Sequence, residues 1–154
     1  MILYYSRQYD RAIEQFLRVR DMDPNFPRAA IIVDVYVEKG MFKEALALIQ
    51  RPQVDDPWYW SRVAYVYGSA GQKAHARHAL ERLFQLERRE PVDAAAIVKA
   101  YISVGDKEHA LDWLERAYTE KLTALTPLKV DPVYDPLRSD PRFQELLRRV
   151  GLAE

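Results

Sequence analysis

Ala70-Gly71-Gln72-Lys73-Ala74-His75-Ala76-Arg77 links two apolar runs of helical spacing. Trp60, Val63, Ala64 and Tyr67 precede the glycine, and Ala76, Ala79, Leu80, Leu83 and Phe84 follow it. Apolar residues three and four apart mark one face of a helix. A glycine between two such faces supplies the left-handed residue that ends the first helix. The stretch therefore reads as helix, turn, helix. It recurs as Lys39-Gly40-Met41-Phe42-Lys43-Glu44-Ala45-Leu46 and as Val104-Gly105-Asp106-Lys107-Glu108-His109-Ala110-Leu111. A fourth copy, Arg7-Gln8-Tyr9-Asp10-Arg11-Ala12-Ile13, has arginine where the others have the turn glycine. The alanines Ala12, Ala45, Ala76 and Ala110 recur at near-even intervals of roughly 34 residues, the length of one two-helix repeat.

The flanking residues repeat the pattern. Ala30, Val33, Tyr36 and Val37 lead to Gly40, and Phe42, Ala45, Leu46, Leu48 and Ile49 follow. Ala94, Ile97, Val98 and Tyr101 lead to Gly105, and Ala110, Leu111, Leu114, Ala117 and Tyr118 follow. Proline fits the first turn of a helix, where its missing N–H is not needed, so Pro27, Pro57 and Pro91 mark helix starts. Asp56 and Asp106 are placed as N-caps.

Composition bounds the chemistry. The chain has 154 residues, 49% hydrophobic and 12% aromatic, with 23 basic against 23 acidic side chains. Such a chain buries a core and is not a disordered segment. Without cysteine there is no disulfide frame, thiolate nucleophile or cysteine zinc site, and the composition suits cytoplasm or periplasm. A net charge of zero gives no electrostatic reason for a nucleic-acid partner. The longest apolar stretches, such as Ala29 to Val33 and Ala94 to Val98, fall far short of the ~18 residues of a membrane span, so no membrane insertion is expected.

The period of about 34 residues, with large, small and aromatic residues at fixed places on two helices, resembles the tetratricopeptide repeat (TPR) family. Residues 3 to 121 carry the resemblance, and Trp60, Val63, Ala64, Tyr67, Ala76 and Leu80 match the family's positions in order. Asp23-Pro24-Asn25 is like the family's linker. The resemblance implies an all-α right-handed solenoid of antiparallel hairpins. We expect a single domain with repeats near 1–25, 26–56, 57–90 and 91–121, and a tail over 122–154.

The tail carries Asp131-Pro132, Asp135-Pro136 and Asp140-Pro141, each a turn or a helix start. The last opens a run in which Phe143, Leu146, Leu147 and Val150 share a face and Gly151 stops the helix. Such a helix is expected to cap the repeat stack. The tail also resembles those that close TPR segments in bacterial multidomain regulatory proteins. At the other end the first repeat has only Ile2 to Ser6 for its first helix, leaving Ile13, Phe16 and Leu17 short of cover. The expectation there is a piece of a longer protein, or a homodimer through the N-terminal repeat.

Catalytic constellations are scarce. His75 and His78 lie three apart on one helix, a spacing that can hold a metal, but no third ligand has suitable spacing and both read as surface residues. His109 stands beside Glu108 and Asp112 and reads the same way. Asp55-Asp56 and Glu87 with Glu90 suit helix ends better than acid–base work. No serine has a nucleophile-elbow context, and no glycine-rich phosphate loop is present. No catalytic residue, cofactor or metal site is expected.

What the resemblance implies instead is a concave groove lined by the first helices. Its floor would comprise Asp34 and Val37, then Trp58, Ser61, Arg62 and Tyr65, then Lys99 and Ile102. Trp58 and Tyr65 would offer rigid apolar area, and Arg62 and Lys99 would meet carboxylates. The family's chaperone-binding members hold a terminal carboxylate with lysines and asparagines. Here Asp34 and Tyr65 stand where asparagine is wanted, and Asn25 is the only asparagine, which disfavours that role. The reading is a non-catalytic module that binds a peptide or helix of a partner protein. The alternative is self-association or a structural role through the N-terminal repeat.

If the repeat alignment is right, Ala76 faces the preceding helix and has no room to grow. Ala76→Leu should then destabilise the chain by roughly 1–3 kcal/mol, read as a lowered midpoint of thermal unfolding.

Overall fold

Four reversals of the chain share one backbone geometry. In the computed structural model Gly40, Gly71 and Gly105 have φ of 70°, 74° and 84°. Arg7, in the place of the fourth glycine, takes the same left-handed conformation at φ 57°. Each of the four donates its N–H to the carbonyl three residues back: Arg7 to Tyr4 (2.9 Å), Gly40 to Val37 (2.9 Å), Gly71 to Gly68 (2.9 Å) and Gly105 to Ile102 (3.0 Å). The next residue reaches five back: Gln8 to Leu3, Met41 to Tyr36, Gln72 to Tyr67 and Asp106 to Tyr101, at 2.8 to 3.0 Å. This paired arrangement satisfies carbonyls that a helix end leaves open. Five residues after each left-handed residue comes the alanine of the repeat. Ala12, Ala45, Ala76 and Ala110 make the first turn's hydrogen bond of the second helix, to Gln8, Met41, Gln72 and Asp106 respectively.

The structure describes residues 1–23, 29–49, 55–87, 92–121, 125 and 127–152. Among them the chain is helical with no strand, and no helix is long and apolar enough to cross a membrane. The helix starts expected at Pro27 and Pro91, the Pro24-Asn25 part of the linker, and Glu90 lie outside the described residues. The chain divides into two compact units, Met1–Arg51 and Pro52–Glu154.

The first unit contains α1 (Ile2–Tyr5), α2 (Tyr9–Met22), α3 (Ala29–Glu38) and α4 (Phe42–Leu48). Its core is Tyr4, Ala45 and most of α3: Ile32, Val33, Val35, Tyr36 and Val37 are all buried. No residue of α2 is buried; Ile13, Phe16 and Leu17 are half-exposed. Polar contacts tie α2 to α3 and its turn. Lys39 Nζ lies 2.7 Å from Asp10, and the Tyr9 hydroxyl donates to Glu38 over 3.4 Å.

The second unit contains α5 (Pro57–Ser69), α6 (Lys73–Glu87), α7 (Ala94–Val104) and α8 (Lys107–Thr119), then a 3-10 helix, Pro132–Leu137, and α9 (Pro141–Arg149). Asp56, Asp93, Asp106, Asp131 and Asp140 each accept from a backbone N–H of the helix that follows, with proline at the first position after Asp56, Asp131 and Asp140. α5 packs on α6 and α7, and α7 packs on α8. The α5–α7 approach is close: a Cβ at Gly68 would lie 2.2 Å from Ser103 Oγ and 2.9 Å from its backbone carbonyl carbon. Ala76 and Ala79 of α6, and Ala110 and Ala117 of α8, are 0% exposed, so small residues let the helices approach closely, with Leu83 and Leu114 fully buried beside them.

The tail is part of this core. Leu128, Tyr134, Leu137 and Phe143 are 0% exposed, with Leu146 and Leu147 buried beside them. The 3-10 helix packs on α7, and α9 packs on α8. Arg142 reaches Glu108 (3.2 Å) and Asp112 (2.7 Å), and Arg149 reaches Glu115 (2.8 Å) while lying 4.2 Å over the Tyr118 ring. Gly151, at φ 74°, ends α9 as the sequence implies.

A left-handed conformation costs a non-glycine residue roughly 1–2 kcal/mol, partly offset in glycine by its greater unfolded freedom. Arg7→Gly should therefore stabilise the first unit, by about 0.5–1 kcal/mol, read as a higher unfolding midpoint with an unchanged helical spectrum.

Candidate functional site

The second unit carries six of the eight residues expected to line a groove, on two helices. Asp56 Oδ1 accepts from Trp58 N over 2.9 Å, and Pro57 fixes the first turn, so α5 begins at a defined point. From there Trp58, Arg62 and Tyr65 follow at intervals of four and three residues and share one stripe of α5. Trp58 is 44% exposed, and Arg62 is half-exposed. Ser61 is buried, and its hydroxyl donates to the Trp58 carbonyl over 2.9 Å. Tyr65 is buried as well.

Lys99 and Ile102 come from α7. Ile102 is buried, whereas the Lys99 side chain retains 20% exposure. Lys99 Nζ stands 6.0 Å from the centre of the Tyr65 ring and 3.7 Å from Asp131 Oδ2. The Asp131 side chain is only 3% exposed. Its other oxygen accepts from Val133 N over 3.0 Å and so caps the 3-10 helix. The Arg138 guanidinium donates to the Asp131 backbone carbonyl (3.3 Å). Tyr65, Lys99 and Asp131 thus form one polar cluster where α5, α7 and the tail converge.

On α3 of the first unit, Asp34 is half-exposed and Val37 is buried. Of the eight residues assigned to the groove floor, Val37, Ser61, Tyr65 and Ile102 contribute packing in this structure, and Lys99 faces a carboxylate of its own chain. Trp58, Arg62 and Asp34 retain contact area. Asp131 escaped the sequence reading because an Asp-Pro pair announces a helix start but not what its carboxylate meets across the fold.

The histidines are each seated on an aromatic ring. His75 stacks on Tyr67 at 5.0 Å and 26°, His78 meets Trp60 edge-on at 6.0 Å, and His109 stacks on Tyr101 at 5.2 Å and 15°. Among the described residues no group of three His, Asp or Glu is placed to hold a metal ion. Asp55 pairs with Arg82 and accepts from Trp60 Nε1 (3.2 Å), while Asp56 caps α5. That pair of carboxylates therefore has structural partners.

Asp131 caps a helix and balances Lys99 at once, so its loss removes both interactions. Asp131→Ala should cost about 2–4 kcal/mol, against about 1 kcal/mol for Asp93→Ala, which removes only an exposed N-cap. Urea unfolding of the two variants checks this; equal losses would leave the Lys99 pairing with no net contribution.

No protein-family model matches the chain, and no curated protein or solved structure is found to be similar to it.

Proposed function

We propose that this chain is a non-catalytic protein-interaction module of TPR-like hairpins, which takes a peptide or helix of a partner protein on its first-helix face. The observation that carries this is on α5. The Trp58 indole is 44% exposed one helical turn from Arg62, and among the described residues Arg62 has no ion-pair partner. Tryptophan and arginine are the residues on which binding energy concentrates at interfaces, because each brings large area or several donors at modest entropic cost. The even spacing of the hairpins along the chain supports the repeat reading, since a fixed period of two-helix units is the mark of such arrays.

A second reading, self-association through the N-terminal repeat, draws on a different observation. α2 has no buried residue, Ile13, Phe16 and Leu17 are half-exposed, and Met22 is 87% exposed. Concentration-dependent sedimentation separates the two readings. A monomer at high micromolar concentration removes the second, and a dimer abolished by Phe16→Asp supports it.

For the first reading, wild-type chain and a Trp58→Ala/Arg62→Ala variant are used side by side to capture proteins from native lysate. A partner held by wild type should weaken by ~30-fold or more in the variant, the equivalent of about 2 kcal/mol, while the helical spectrum is kept. Equal retention on both would move the function away from α5.

A further inference from the structure

Two hairpins of the second unit share a spacing that the proposed function does not use: Tyr67-x3-Gly71-x3-His75 and Tyr101-x3-Gly105-x3-His109. The left-handed glycine folds the start of the second helix back over the end of the first, so the imidazole lies flat on the tyrosine ring in both. The copies differ at the residue after the glycine. Gln72 follows Gly71, whereas Asp106 follows Gly105. Asp106 Oδ1 accepts from the His109 backbone N–H over 3.2 Å, and the two carboxylate oxygens lie 2.9 and 2.8 Å from His109 Nδ1. One carboxylate therefore holds the main chain and the ring of the same residue, with the Tyr101 face on the ring.

We propose that His109 is a pH-responsive pin, which fastens the start of α8 to the end of α7 more firmly when its imidazole is protonated. The groups around it fix the sign. Asp106, Glu108 and Asp112 on α8 are acidic, and the Tyr101 ring comes from α7. The nearby cation from α9, Arg142, is engaged by Glu108 and Asp112. The positive end of α8 opposes an imidazolium in its first turn. The Asp106 hydrogen bond and charge, with Asp112 and Glu108 adding to them, hold the His109 pKa above 6.5 against the opposing effect of desolvation. A group bound more tightly in its protonated form adds stability that is complete below the unfolded pKa and is lost as pH rises through the folded one. The pin is thus fast below pH 6.5 and slackens as pH rises through the raised pKa of the folded state.

The test is an NMR titration of the histidine ring protons in the full chain. The His109 midpoint should lie above 6.5 and move down in Asp106→Asn. A midpoint at or below 6.5 in wild type, or one indifferent to Asp106→Asn, overturns the proposal. His109→Gln supplies a readout that does not depend on folding of the cap variant. Its deficit in unfolding midpoint against wild type should be larger at pH 6 than at pH 8, and an equal deficit at both pH values overturns the proposal too.

Discussion

The left-handed residue inside each of the four helix hairpins is the constraint on which the rest depends. A helix that ends in solvent leaves four carbonyls without donors, and the chain must leave the helical path to satisfy them. At Arg7, Gly40, Gly71 and Gly105 it does so in the same way, with one N–H returning three residues and the next returning five. The second helix then starts at once. Its first turn puts Ala45, Ala76 and Ala110 into fully buried positions. Turn and alanine form one unit: the backbone angle fixes where the second helix begins, and the small side chain fixes how near it runs. Arg7 shows that the geometry is imposed by packing and hydrogen bonding, since an arginine is held at φ 57° despite the steric cost of its Cβ.

In the second unit the tail adds a different kind of fastening. Its apolar residues fill the core while its ions lie around it: Lys99 with Asp131, Arg142 with Glu108 and Asp112, Arg149 with Glu115. The exposed pairs contribute little each, because water competes for both partners. Lys99–Asp131 differs because Asp131 is almost fully buried and also serves a backbone N–H. That makes the pair a determinant of where the 3-10 helix lies. It also places the cation that the sequence assigns to a partner's carboxylate beside a carboxylate of the chain itself. Among the described residues, Arg62 on α5 is the cation of this region left unmatched. It stands beside the exposed Trp58, and on these two the proposed interaction rests.

Much of the fold was legible in the sequence because its signals are local. Helical spacing located both helices of three hairpins, glycine located their reversals, and Asp56, Asp106 and the tail prolines located helix starts. Each depends on residues within one or two turns, and short-range geometry is what sequence spacing encodes. The candidate site was legible in part. The stripe of Trp58 and Arg62 follows from helical periodicity, but the burial of Ser61, Tyr65 and Ile102 depends on what other segments lay over them.

The sequence by itself determined the helix–turn–helix repeat, its even period and the small residues at its contacts, since a backbone angle and a methyl-sized gap each leave a mark at one position. Tertiary structure alone decided that Asp131 meets Lys99 and that Arg142 and Arg149 of α9 meet the carboxylates of α8. A charge or a ring has no fixed partner along the chain. Its counterpart is set by which helices the packing brings within a few ångströms.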